Sequence, residues 1–368
     1  MTALRRGARR AEPVWDVAFA LAGALAIAAV VLRAAGYPPL AVLRGAFGFS
    51  LFTAHGITTT LAFATPLIFT GLCFLIGVRA GIFNVGAEGV VMVSAGASVA
   101  FGALLALPAP VHLPLTLAVA IAVGVLWMLP SALLKAHRQV HEVLSTIMLN
   151  WIAIFLVAFL IAYPLRDRDF PARTVLILPS SRLEPLLPGT SLTVMLAAGI
   201  LLCVAAYVLL YHTPTGLHLR ATGADPVAAH AVGIDVRRLT MLAFLLGGAV
   251  AGVAGFTLTA GFPPYWNIDE HMQSLLRMGF LGIVVSAMAR NHPLGCVLSA
   301  IVVAAVLTSR SYLQLAHGVV YEFAELLAGI VVILLALPGI SRDIARWRAK
   351  QAARHRALTP SPAGAGDR

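Results

Sequence analysis

Apolar runs of about twenty residues recur along this chain, and the charged residues gather in the connectors between them and in the two tails. The hydrocarbon core of a bilayer is roughly 30 Å thick and takes about 20 apolar residues per helical span, so runs of that length select helices that cross a membrane. Composition points the same way. Of 368 residues, 60% are hydrophobic and only 11% charged, with a mean hydropathy of +0.91, too few charges to clothe a water-soluble globule of this size. Ordinary soluble enzymes are excluded on that ground. The net charge of +11 does not point to nucleic acid, because the basic residues sit between apolar runs and in the tails and form no interleaved basic and aromatic surface. Cys73, Cys203 and Cys296 stand singly inside apolar segments, which suggests packing residues and neither disulfides nor a thiolate metal site.

The runs place spans at about 15–34, 57–78, 89–107, 113–134, 145–164, 192–211, 239–260, 272–289, 293–311 and 322–340. The expected architecture is an all-α polytopic membrane protein of about ten transmembrane helices. Its parts are a basic cytoplasmic N-terminus over 1–14, a transmembrane domain over 15–340 and a basic, frayed tail over 341–368. With the N-terminus inside, 18 Lys and Arg fall on the cytoplasmic side and seven outside, so both termini are expected in the cytoplasm. The apolar stretch after Arg5, Arg6, Arg9 and Arg10 is too long for a signal-peptide core and is expected to remain as the first span. Residues 35–56 suggest a short peripheral helix, and 165–191, with four prolines, an irregular extracytoplasmic loop.

Four stretches put polar groups where apolar ones are expected. In RAGIFNVGAEG, residues 79–89, glycines and Asn84 interrupt the helical pattern, so the chain is expected to break or re-enter there. Irregular backbone and a carboxylate at membrane depth are tolerated only inside protein or beside a watery cavity, which makes Phe83, Asn84 and Glu88 candidates for a permeation path. The competing reading is a short cytoplasmic loop with Glu88 in a first helical turn. HEVLSTIMLN, residues 141–150, places Glu142 in another first turn and Asn150 within the membrane, either on the path or in an interhelical hydrogen bond. The connector 213–235 holds an Asp–Pro helix start at Asp225, a run through Ala229 and a stop at Gly233, a short helix in a loop long enough to serve a partner. In GFLGIVVSAMARNHPLG, residues 279–295, Arg290 and Asn291 mark a tight cytoplasmic turn. Gly248 and Gly252 read as a packing pair, and His137 and His141 lack a third ligand for a metal.

No G-x-x-x-x-G-K-[ST], H-E-x-x-H or G-x-S-x-G motif occurs, so the chain offers no phosphate-binding loop, zincin site or serine nucleophile. The four stretches, in order and spacing across residues 57–340, resemble the permease subunits of bacterial ABC importers of the ribose and branched-chain amino-acid type. Within that family they look like the longer permease of nucleoside systems served by a lipoprotein. Val90, His141 and Ala289 depart from what that family commonly has at these places. The resemblance implies a plasma-membrane (inner-membrane) subunit that is no enzyme and holds no cofactor. Its expected partners are a second permease in a heterodimer, a cytoplasmic subunit that uses ATP, and an extracytoplasmic substrate-binding lipoprotein, within membrane lipid. It also implies nucleoside cargo, with a simple sugar such as ribose or galactose as the alternative, and an ATPase contact at Arg220, Asp225, Ala229 and Gly233. A secondary transporter or membrane enzyme is the remaining alternative.

Overall fold

The computed structural model describes residues 22–23, 25–269, 277–317, 323 and 326–330. The expected segments 1–14 and 341–368, the first part of the span at 15–34 and most of that at 322–340 lie outside them. Twelve α-helices follow in order among the described residues up to His317. They are α1 (Leu25–Ala34), α2 (Pro39–Phe52), α3 (Ala54–Arg79), α4 (Ala87–Leu104), α5 (Ala109–Arg138) and α6 (Glu142–Ala162), then α7 (Met195–His212), α8 (Pro214–Ala224), α9 (Pro226–Ala231), α10 (Val236–Thr259), α11 (Leu281–Met288) and α12 (Pro293–His317). No strand occurs among the described residues, only an isolated bridge from Arg166 to Thr174. Seven helices, α3 to α7 together with α10 and α12, are long and apolar enough to cross a membrane, which makes this a polytopic α-helical membrane protein.

Burial sorts the helices into an inner and an outer set. The most apolar window of α3 is 83% buried and those of α4 and α10 are largely so, whereas α5, α6 and α7 are a third buried or less. A helix apolar on every side is buried where it meets protein and faces lipid where it does not. Accordingly α3 packs against α10, α12, α11, α2 and α7, and the outer set turns residues such as Trp151, Phe155, Leu201 and Leu126 outward. Inside α3 the hydroxyls of Thr58, Thr65 and Thr70 donate back to carbonyls three or four residues earlier, so these buried polar groups need no outside partner.

The inner helices approach closely through glycine. On α10, a Cβ at Gly248 would lie 2.6 Å from the Gly124 carbonyl of α5, and one at Gly252 would lie 2.6 Å from the Ala120 carbonyl. The packing role expected of this pair is therefore met against α5. Small residues matter here because helices in lipid gain no hydrophobic drive toward one another and rely on close packing. Gly252→Val is expected to separate α5 from α10 at a cost of about 1–3 kcal/mol, visible as a lowered thermal unfolding midpoint of the purified protein.

Two elements differ from the pattern read in the apolar runs. In place of a continuous span over 272–289, the described part is a 3₁₀ turn at Arg277–Gly279 followed by the eight-residue α11, about 12 Å long and too short to span. The connector 213–235 holds two helices where one was expected, because Thr213 accepts a hydrogen bond from Gly216 N and so starts α8. The peripheral helix expected within 35–56 is α2, packed on α12 and α3. The loop 165–191 is irregular, as its prolines suggest, yet firmly held. Thr174 N, Ile177 N and Leu183 N donate to the carbonyls of Ile268, Trp266 and Ala260. Ser180 and Ser181 join His112 and Thr116 of α5 at 2.7 and 2.6 Å.

Candidate functional site

The helix break falls within RAGIFNVGAEG. After Arg79 the backbone at Gly81 turns left-handed (φ +77°), a conformation open to glycine at little cost, and Ile82 N donates to Gly77 O at 2.9 Å. Residues 82–85 then run without helix back along α3, so that Asn84 lies beside Gly77 and reaches Cys73, whose sulfur is 3.8 Å from Asn84 Nδ2. Cys73 lies six residues before Arg79, roughly 9 Å along the helix axis. The segment thus doubles back into the bundle before α4 begins, the broken or re-entrant form expected from its sequence.

Non-helical backbone inside a bundle must find partners for its polar groups. Asn84 Oδ1 accepts from Gly86 N at 3.0 Å, closing an Asx turn. Asn150, from α6, bridges the start of α4: its Nδ2 donates to Val85 O at 3.0 Å and its Oδ1 accepts from Gly89 N at 2.9 Å. On the approach side, Glu142 Oε1 accepts from Phe83 N at 3.4 Å, and Lys135 Nζ of α5 stands 2.8 Å from Glu142 Oε2. Glu88 occupies the first turn of α4, where the helix dipole favours an anion. The structure therefore gathers Asn84, Glu88 and Asn150 in one place, each at most 4% exposed, while Phe83 is 47% exposed and packs edge-on against Phe74. Of the two readings of Asn150, the interhelical bond is the geometry observed.

The 3₁₀ turn Arg277–Gly279 and α11 after it brace this break and α3 from the side. A Cβ on Gly279 would overlap the backbone of Glu88, and one on Gly282 would lie 2.5 Å from the Thr70 carbonyl carbon. At the other end, Arg290 and Asn291 both take left-handed backbone, φ 52° and 53°, making the tight turn expected there. Arg79 closes the arrangement, with Nε donating to Asn291 O at 2.7 Å and Nη2 to Arg290 O at 3.4 Å, a cation on the carbonyl end of a helix. Asn291 Oδ1 accepts from Ser286 Oγ at 2.7 Å.

The α8–α9 pair rests on the same corner. A Cβ at Gly223 would overlap the Arg79 carbonyl oxygen and lie 2.8 Å from Gly81 N, so α8 touches the chain at the start of the break. Asp225 caps α9 by accepting from Val227 N and Ala228 N at 2.9 and 3.1 Å, and Gly233 ends the turn at φ +85°. Arg220 folds back over Tyr211, 4.9 Å from the ring centroid. Ala229 is buried at 4%, whereas Val227 and Val232, which the sequence reading did not single out, are the most exposed apolar groups of the pair. Exposed valines at a connector are visible only once Asp225 fixes the helix and hence its faces.

A buried polar break within a bundle of helices long and apolar enough to cross a membrane, with a capped helix pair seated at its start, is the arrangement of a multi-pass membrane protein. Residues 56–336 match the protein family described as the branched-chain amino acid transport system / permease component, and the chain belongs to that family. It is 30% identical to the guanosine ABC transporter permease protein NupP of Bacillus subtilis, over 85% of this chain and 90% of the relative. It is 28% identical to the glucose ABC transporter permease protein TsgB13 of Haloferax volcanii, over 89% of each, and 25% identical to the nucleoside ABC transporter permease protein NupB of Lactococcus lactis, over 84% and 87%. No solved structure matches the chain.

Proposed function

We propose that this chain is the longer permease subunit of a nucleoside importer in a bacterial inner membrane, driven by ATP hydrolysis in a separate cytoplasmic subunit. The observation that carries the reading is the buried polar break, where the uncharged amides of Asn84 and Asn150 hold the backbone in a closed form and Glu88 adds a single carboxylate. A nucleoside carries ribose hydroxyls and a neutral base, so its path wants such groups and aromatic surface, which Phe83 supplies, and no dense cluster of one charge. Similarity to permeases named for guanosine and for nucleosides supports the same cargo. Similarity to a glucose permease favours a simple sugar as the second reading. Uptake of labelled guanosine by the assembled transporter, in competition with glucose, tests the choice; displacement by glucose alone would overturn the nucleoside reading.

The remaining partners in this proposal are a second permease and a lipoprotein that delivers cargo from outside, with both termini of this chain in the cytoplasm. Asn84, Glu88 and Asn150 are closed within protein in this structure, so passage of cargo requires the break to open. Glu88→Gln is expected to lower the uptake rate several-fold and leave assembly intact, since it removes a charge at little change of volume; an unchanged rate would assign Glu88 to structure alone. Reconstituted alone, the chain is expected to accumulate nothing. Accumulation driven by a proton or sodium gradient without ATP would favour a secondary transporter.

Coupling is assigned in this proposal to α8 and α9, with Arg220 and Asp225 holding the pair in shape, Ala229 and Gly233 fixing its seat, and Val227 and Val232 meeting the ATP-hydrolysing subunit. Bulk at Ala229 acts first on the fold, because the side chain is buried. Val227→Asp together with Val232→Asp is therefore the cleaner test. The pair is expected to weaken co-purification of the ATPase subunit about tenfold, as loss of two apolar contacts implies; wild-type recovery of the subunit would place the contact elsewhere.

A further inference from the structure

We propose that the Arg79 end of the seam between α7 and α12 holds the phosphate headgroup of an anionic lipid. Four basic side chains converge there on two tyrosine rings. The Arg79 and Arg220 guanidinium carbons lie 5.8 and 4.9 Å from the centroid of Tyr211. His292 packs on Tyr207 and Tyr211 with centroids 5.5 and 5.6 Å apart, and His212 packs on Tyr207 at 5.3 Å. Among the described residues neither Arg79 nor Arg220 has a carboxylate within ion-pair distance. Arg220 Nε, moreover, is buried with no acceptor. Arg79 donates through Nε and Nη2 to the Asn291 and Arg290 carbonyls, which leave its charge uncancelled, and a phosphate oxyanion beside the pair offsets both charges while supplying the acceptor that Arg220 lacks.

A lipid, and not a soluble anion, fits the surroundings. From this cluster Val204 and Val208 continue along one face of α7, and Leu294 and Leu298 along α12, all four exposed. The two helices pack against each other, so the basic and aromatic cluster lies where exposed apolar faces of both helices begin. Tyr207 and Tyr211, one turn apart at the end of α7, have the amphipathic rings that sit at headgroup level. Basic recesses between membrane helices recognise acidic headgroups in this way, each Arg near the surface contributing about 1 kcal/mol. Burial, together with the neighbouring Arg79, lowers the His292 pKa from the ordinary imidazole value, and an added phosphate oxyanion would oppose that shift.

The test uses the full-length chain in phosphatidylcholine nanodiscs with and without phosphatidylglycerol, read by native mass spectrometry for retained lipid and by thermal unfolding. The wild-type chain is expected to retain phosphatidylglycerol saturably and to unfold at a higher temperature with it. Arg220→Gln is expected to lower that retention about fivefold and to lose the rise in midpoint that phosphatidylglycerol gives over phosphatidylcholine. Equal retention by Arg220→Gln and wild type would overturn the proposal. So would protection by inorganic phosphate equal to that by phosphatidylglycerol, since the site would then take a free anion. If Arg220→Gln folds poorly, the wild-type titration decides alone: retention no greater than that of phosphatidylcholine would assign the arginines to another partner, such as an acidic segment of the ATPase subunit.

Discussion

Gly279→Val is expected to abolish uptake by the assembled transporter and to cut the yield of monodisperse protein at least tenfold. The reason is local and steric. A Cβ at Gly279 would fall on the backbone of Glu88, and also 2.7 Å from Glu88 Cβ, so the new atoms meet main chain that has no rotamer to turn away. Relief requires the 3₁₀ turn, and α11 that continues from it, to lift from the first turn of α4. That movement strips the break of its brace, because the same α11 receives Arg79 at its other end. Overpacking of this kind costs about 3 kcal/mol or more where backbone must shift, a large share of the roughly 5–15 kcal/mol that holds a domain together. Gly48→Ala serves as the control, since a Cβ there has nothing within 4 Å. Size-exclusion profiles and uptake of the two variants side by side make the comparison; a Gly279→Val transporter with wild-type profile and rate would show that the turn before α11 does not brace the break.

How legible this arrangement is in the sequence depends on where each cause lies. The long spans can be read because the bilayer imposes one length and one polarity on them, and α3, α5 and α10 fall close to their expected places. The break can be read because Gly81, Asn84, Gly86 and Glu88 each disfavour a buried helix for a separate local reason. The expected span at 272–289 could not be corrected from hydropathy, which counts Gly279 and Gly282 as tolerable apolar positions and is blind to the backbone of Glu88 and Thr70 that they touch. In α8, PTGLHLRATGA contains two glycines and two threonines of low helix propensity; the helix is held by the Thr213 cap and by contacts of Gly216 and Gly223, which are tertiary. Arg79 and Asn291 are 212 residues apart, and nothing in either local pattern announces that they meet. Glu142 could be placed in a first helical turn, but its pairing with Lys135 and Phe83 N depends on how three elements converge.

Asn150→Leu is expected to lower uptake more than tenfold, a larger effect than Glu88→Gln, although leucine matches asparagine in size and suits a membrane helix. The amide of Asn150 is the partner of two main-chain groups on either side of the start of α4, Val85 O and Gly89 N. Leucine leaves both buried without a bond, and each orphaned group costs about 1–3 kcal/mol. Relief comes from outside the bundle: residues 84–86 swing toward water, or α4 unwinds at its first turn until Gly89 N is solvated. Either way the geometry of residues 84–89 around Asn150 is lost. Asn150→Asp should not restore it, because the carboxylate accepts from Gly89 N but turns a second oxygen toward Val85 O. Thiol labelling separates this account from a general loss of fold. In an otherwise cysteine-free transporter, a cysteine at Phe83 should label in wild type, and cysteines at 84 and 86 should label only when Asn150→Leu is also present. Wild-type uptake by the leucine variant, with 84 and 86 still protected, would show that the break holds without Asn150 and that its backbone groups find other partners.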